Sequence, residues 1–172
     1  MFGYVQVRLN DGTEVLIRPI DPGDKRKLAK AFGHLSAETV HRRFLSPKPS
    51  LSAAELRYLT EVDGDDHIAY VAVLADRPEW LVAVGRFVRL AEDHETAEFA
   101  IVVGDPWQSK GLGKRLASLL ATEAIAHGVR RFTAFTLADN IPAQRLIATI
   151  SQRLTYEQGS GAVRELAGEL AA

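Results

Sequence analysis

No cysteine occurs in the 172 residues, and this absence alone removes disulfides, thiolate metal sites and a cysteine nucleophile. Net charge is equally scarce. The 21 basic and 22 acidic side chains leave −1 at pH 7, without the sustained positive field that nucleic-acid binding uses. No apolar run approaches the roughly 20 residues that span a bilayer, and Met1-Phe2-Gly3-Tyr4 has neither the basic nor the apolar block of a signal peptide. The five histidines, His34, His41, His67, His94 and His127, show no ligand spacing, so no metal is expected. What is present is ordinary: 47% hydrophobic and 25% charged residues, in a chain long enough to close one core. The expectation is a single cytoplasmic domain with neither nucleic acid nor membrane as partner.

Alternation over residues 4–9 and 13–20, around Asn10-Asp11-Gly12, predicts a hairpin, because Asp-Gly tolerates the positive φ of a tight turn. Asp21 as N-cap and Pro22 at the first helical position predict a helix to about His34. Ser36, with Glu38 nearby, opens a second helix to about Leu45. After the break at Pro47 and Pro49, Ser52 and Glu55 form a capping box for a third over 53–62. Stretches 68–74, 81–90 and 96–103 read as strands, with turns at 76–79 and 92–95. A helix over 112–127 carries Leu116, Leu119, Leu120 and Ile125 at helical spacing and stops at Gly128. A strand at 132–137, a helix at 142–152 and two weak strands near 154–158 and 162–166 complete the order. It predicts one α/β (α+β) domain: a mixed central β-sheet flanked by helices.

Between the strand at 96–103 and the helix at 112 stands Gln108-Ser109-Lys110-Gly111-Leu112-Gly113. Glycines let an anion approach the backbone, N–H groups converge, and the helix dipole adds positive potential, so such a turn suits phosphate. A Walker loop is excluded, because Arg115 follows Gly113-Lys114 where Ser or Thr is needed and Gln108 holds the first glycine position. A dinucleotide fingerprint is excluded by Leu116 at the third glycine position and by the strand order. The remaining pattern, Gln-x-x-Gly-x-Gly, resembles the coenzyme A pyrophosphate loop of the GNAT superfamily of N-acetyltransferases, a likeness running over about residues 15–166. The plain alternative is a tight strand-to-helix turn.

Within that superfamily the front half is most similar to the acetyltransferase domain of bacterial protein-lysine acetyltransferases. The similar stretches are Ile17-Arg18-Pro19-Ile20, Leu35-Ser36-Ala37-Glu38-Thr39, Arg42-Arg43-Phe44-Leu45-Ser46-Pro47 and Leu59-Thr60-Glu61-Val62-Asp63. That group usually joins the domain to a regulatory or CoA-ligase-like module. This chain carries only the transferase part, so such regulation is expected to be absent or supplied by another protein.

The resemblance implies a GNAT fold and acetyl-CoA as cosubstrate, with transfer to an amine. It divides the chain into an N-terminal hairpin (1–20), a helical acceptor-side segment (21–62) and an acetyl-CoA-binding core (67–172). A lysine-like amine has an unperturbed pKa of about 10.4, so a base must take its proton. Glu98, the only carboxylate in the apolar strand 96–103, stands on the strand where the family often places a catalytic glutamate. Apolar neighbours are expected to raise its pKa; the other reading is a strand-start carboxylate in solvent. The family implies that a backbone N–H near Ile101, Val102 and Val103 polarises the thioester oxygen and that this splayed edge pairs with the pantetheine amides. Coenzyme contacts otherwise fall to Gln108, Ser109, Lys110, Gly111, Leu112, Gly113, Lys114 and Arg115. Asn140 resembles the family's CoA-contacting asparagine and also reads as a helix N-cap.

The chain departs from the family at one catalytic position. Ile147 stands where many members carry the tyrosine that protonates the leaving thiolate, and Tyr156 comes too late to replace it, so no general acid is assigned. The usual Gly-Phe after that helix is also missing, with Arg153-Leu154-Thr155 in its place. Asp63, Asp65, Asp66, Glu92, Asp93 and Glu95 form either an acidic rim that draws in a cationic amine or a set of solvated turns. Trp107 is expected to brace the phosphate loop, and Trp80 to pack. Three readings follow: a protein-lysine acetyltransferase, a small-amine acetyltransferase, and a non-catalytic acetyl-CoA-binding regulatory module. Exposed edge strands allow a monomer or a homodimer.

Overall fold

In the computed structural model, which describes residues 3–157 and 161–171, the Asp-Gly turn forms as its residues require. Gly12 sits at φ 87°, and the Leu9 N–H donates to the Thr13 carbonyl at 2.8 Å. β1 (Val5–Arg8) thereby returns as β2 (Glu14–Pro19). The next segment departs from one long helix. Pro22–Asp24 makes a 3-10 turn, with the Asp21 carboxylate accepting from the Gly23 N–H, and α1 covers only Lys25–Gly33. Here Asp24 turns inward to take two 2.7 Å bonds from the Arg18 guanidinium, which ties the entry turn to β2 instead of to the helix axis.

α2 (Ala37–Phe44) and α3 (Ala53–Thr60) begin at the expected caps. Ser36 Oγ accepts from the Thr39 N–H at 3.1 Å. Ser52 and Glu55 close the reciprocal box at 3.2 and 2.8 Å. The remaining elements are β3 (His67–Leu74), β4 (Leu81–Arg89), β5 (Thr96–Val103), α4 (Leu112–Ala126), β6 (Arg131–Leu137), α5 (Ile141–Ile150), β7 (Ser151–Glu157) and β8 (Val163–Leu170). The tail strands are longer than the sequence suggests, and the end of the first, at Gln158, lies outside the described residues.

The eight strands form one mixed sheet in the order β1-β2-β3-β4-β5-β6-β8-β7. Every neighbouring pair is antiparallel except β5 and β6. α4 and α5 cover one face. Leu112, Leu116 and Leu120 are fully buried there with Phe87, Phe99 and Phe132, and Phe99 stacks on Phe132 at 5.0 Å. Each such leucine contributes about 2 kcal/mol by buried area, so the core, not the loop before it, fixes where α4 begins. Gly85 permits this approach, since a Cβ there would lie 2.7 Å from Leu120 Cδ1. Helices α1 to α3 cover the other face, over Ala69, Val71 and Val84. Among the described residues, no helix is long and apolar enough to cross a membrane.

The parallel pair is short. β5 and β6 register only at Thr96↔Arg131, Ala97↔Phe132 and Glu98↔Thr133, while β5 stays paired with β4 as far as Val103. Beyond Glu98 the sheet is open.

Candidate active site

This opening widens into a cleft of about 560 Å³, walled by α2 residues such as Thr39 and Arg43 from one face and α5 residues such as Ala143 and Leu146 from the other. Antiparallel pairing decides which backbone groups of β5 face it. The Gly104 N–H bonds the Val82 carbonyl on β4, whereas the Val103 carbonyl turns away and accepts from Gln108 Nε2 at 3.0 Å. By alternation, Ile101 and Val103 present N–H and C=O to the cleft and Val102 presents its own to β4. The expectation for Ile101 and Val103 therefore fits this geometry. Val102 is corrected: it lines the cleft with its side chain, not its amide.

Above β5 a network of side chains fixes the loop. The Asp105 carboxylate accepts from the Ser36 N–H (3.0 Å), Ser36 Oγ (2.7 Å) and Thr39 Oγ1 (2.8 Å). Burial opposes its charge, but these Ser36 and Thr39 donors outweigh it and hold the carboxyl below the usual range. Gln108 Nε2 also donates to Thr39 Oγ1 at 3.2 Å. The start of α2 and the loop are thus one unit, and the Gln108 side chain braces it instead of pointing at a ligand. Asp105→Ala is expected to free the loop and raise the KM for the acyl donor about fivefold or more with a smaller change in kcat, read from initial rates.

The loop itself is wound through two left-handed residues. Ser109 and Gly111 lie at φ 59° and 86°. Among the described residues, the backbone N–H groups of 109–114 donate no hydrogen bond, and α4 starts without a side-chain cap. Ser109, Gly111, Gly113 and Lys114 line the cleft. Two expected side-chain contacts, those of Lys110 and Arg115, need correction. Lys110 is held from behind by Asp11, Nζ to Oδ2 2.6 Å, so its charge serves the hairpin. The Leu112 side chain is in the core, which leaves only its backbone N–H to the loop. Arg115 is exposed on α4, away from the cleft wall.

Asn140 forms the expected cap, its Oδ1 accepting from the Ala143 N–H at 3.3 Å at the start of α5, and it stands 8% exposed in the cleft wall. Ile147 lines the same wall, whereas Tyr156 is exposed on β7, separated from β6 by β8. Trp107 packs against Gly104, where a Cβ would lie 2.9 Å from the ring. Sequence reasoning missed Thr136. Among the described residues its buried Oγ1 has no hydrogen-bond partner, and it lines the cleft. The signal was available: a hydroxyl on the buried phase of β6, shared with Phe132 and Ala134.

Glu98 reaches the α2 side of the cleft with Ala100 and Val102. The apolar enclosure expected around it is not present, for its side chain is exposed. Its neighbours on this side are cationic. Arg86 on β4 stands opposite Ala100, is 5% exposed, and donates to the Leu59 carbonyl at 3.1 Å, with its Nη1 2.9 Å from His67 Nε2. Burial, then Arg86, pushes His67 down to about 4, so a neutral imidazole accepts that bond. Burial, then Arg43, lowers Arg86 to about 10. Burial also lowers Arg43, which the Glu98 charge partly offsets. The acidic turns mostly serve themselves: Asp63 accepts from the Asp65 and His67 N–H groups, Asp66 pairs with Arg89, and Asp93 takes the Thr96 hydroxyl.

Comparison with known proteins places this geometry. The model of the acetyltransferase (GNAT) family matches residues 35–149. Acetyltransferase Pat of Mycolicibacterium smegmatis is 34% identical over 143 residues, 83% of this chain and 42% of that protein. The chain thus spans less than half the length of that relative. An acetyltransferase of Pseudomonas aeruginosa is 31% identical over 133 residues, covering 77% of this chain and 71% of the other. The crystal structure of the GNAT domain of S. lividans PAT superimposes with a TM-score of 0.86 at 27% identity, covering 97% of each chain.

Proposed function

Since the chain belongs to the acetyltransferase (GNAT) family, we propose that it transfers an acetyl group from acetyl-CoA to a primary amine, most directly a protein lysine, with Glu98 as general base. The observation that carries this reading is the run of N–H groups over 109–114 at an uncapped helix start, opening onto an unpaired strand edge. Such a place favours a pyrophosphate, and an extended amide chain is the natural partner of the free edge at Ile101 and Val103. Lys114 adds positive charge and Thr136 a hydroxyl. In this reading residues 67–172 hold acetyl-CoA, 21–62 face the acceptor, and the 1–20 hairpin backs the loop through Lys110.

Glu98 takes the amine proton, directly or through one water, as nitrogen attacks. The N–H of Ile101 or Val103 stabilises charge developing on the carbonyl oxygen. Ile147 offers no proton, so the leaving thiolate takes one from solvent in the open cleft. The likeness to Pat favours a lysine acceptor, and the lack of a phenol among the described residues that line the cleft favours a second reading, a binding module without turnover. CoA release should be followed with a lysine peptide, a panel of small amines and no acceptor, beside calorimetry of acetyl-CoA. Turnover on peptide is expected. Turnover on small amines alone moves the acceptor; binding without turnover favours the module; no affinity for any acyl-CoA overturns the proposal.

A further inference from the structure

Beside the transfer cleft, between the sheet and helices α1 to α3, lies a second chamber of about 220 Å³. Its floor is Val84, Ala100 and Val102, and its roof includes Leu28 and Phe32. It shares Arg43, Phe44, Ala100, Val102 and Trp107 with the cleft, so the two spaces meet at the middle of β5. Much of the lining is apolar, with Lys27, Lys30, His34, Glu79 and Asp105 also on its wall, and Arg43 and Arg86 stand together beside Ala100 where the two spaces meet.

The pair is unusual in what it lacks. Among the described residues, neither guanidinium has a carboxylate within ion-pair distance, while Arg18, Arg42 and Arg89 all do. Arg86 is 5% exposed and has only a neutral imidazole and one carbonyl for partners. Arg43 rests on the Phe44 ring, 5.0 Å from its centroid. Arg86 is buried and Arg43 half-buried, the exposed Glu98 charge, outside ion-pair distance, only partly offsets Arg43, and the fold keeps both guanidinium groups beside an open chamber. A guanidinium fork matches a carboxylate's two oxygens.

We propose that Arg43 and Arg86 form a carboxylate-binding site at the inner end of the transfer cleft, so that the preferred reaction brings a carboxylate close to the amide bond being made. That carboxylate is carried either by the acyl group, as in a dicarboxylic acyl-CoA, or by a small acceptor beside its amine. This rests on the acyltransferase reading and narrows its substrate class. The transfer step is unchanged in balance: the amine nitrogen bonds the acyl carbon, the carbon–sulfur bond breaks, Glu98 receives the amine proton, and the thiolate is protonated by water.

The test compares the wild type with Arg43→Gln and the fold-sparing Arg86→Lys. In one arm kcat/KM is measured for succinyl-CoA and butyryl-CoA with one amine; in the other, for lysine and cadaverine with acetyl-CoA. A ratio of at least about tenfold in favour of the carboxylate is expected in one arm, identifying its source, and should fall about tenfold in the variants. A general loss of fold or activity leaves such a ratio unmoved. Ratios near one in both arms, or ratios that survive the substitutions, overturn the proposal while leaving the acyltransferase reading intact. Should no acyl-CoA turn over, that reading fails, and the melting midpoint in succinate against butyrate decides the site alone. Stabilisation by succinate that Arg43→Gln removes supports it, and no difference between the two acids overturns it.

Discussion

Glu98→Gln is expected to lower kcat at least about tenfold while acetyl-CoA affinity, read by calorimetry, stays within about twofold. The exchange keeps the shape of the side chain and removes only the group that can hold a proton. Glu98 is exposed at the α2 side of the cleft, away from the loop over 109–114, so coenzyme binding has no reason to change. The defect should also shrink as pH rises toward the amine's own value near 10.4, where less acceptor needs deprotonation. Equal turnover by the two proteins across that range would leave Glu98 as a solvated strand residue and return the proton to water.

A second large effect falls on stability. Asp24→Ala leaves the Arg18 guanidinium, 9% exposed, without its bidentate partner. Breaking a buried pair from one side costs about 3–5 kcal/mol, which in a protein of this size lowers the melting midpoint by roughly 6–20 °C. Replacing both partners together, as Arg18→Met with Asp24→Leu, should recover most of the loss, because no charge is then stranded. The wild type carries the same pair in its acid limb. Burial raises the Asp24 carboxyl, but bonds from Arg18 and the Asp21 N–H outweigh it, so the folded value lies below the usual one. Its contribution is present above about pH 3.9 and lost as pH falls through the lower folded value. His67 acts earlier. With its folded value depressed to about 4, protonation favours the unfolded chain from about pH 6.5 downward. Thermal melts across pH 3 to 7 should therefore decline in two stages, the upper one disappearing in His67→Gln.

Much of the architecture was legible because its causes are local. Ser36, Ser52 with Glu55, and Gly128 act within one turn of themselves, and β5 ends where its apolar run ends. Asp21 and Pro22 cap and open a helical turn as their residue types require, but the inward pull of Arg18 on Asp24 makes that turn 3-10 and delays α1 to Lys25. The place of β8 between β6 and β7 has no local signature at all. In the site, the loop residues were visible as a motif, but their division of labour was not. Whether Lys110 faces a ligand or Asp11 depends on a hairpin about 100 residues earlier in the chain. Gln108 became a brace because α2 supplies Thr39. Arg43 and Arg86 meet only when α2 folds over β5, beside which β4 places Arg86, a contact no spacing announces.

The seam at Thr96, Ala97 and Glu98 makes the sheet mechanically two plates riveted along one short edge, with β1 to β5 in one and β6, β8 and β7 in the other. Any extended molecule that bonds both free margins of the notch acts as a splint across it. Stiffness of the distant β7–β8 ribbon then becomes a gauge of occupancy, since whatever fills the notch also finishes the sheet.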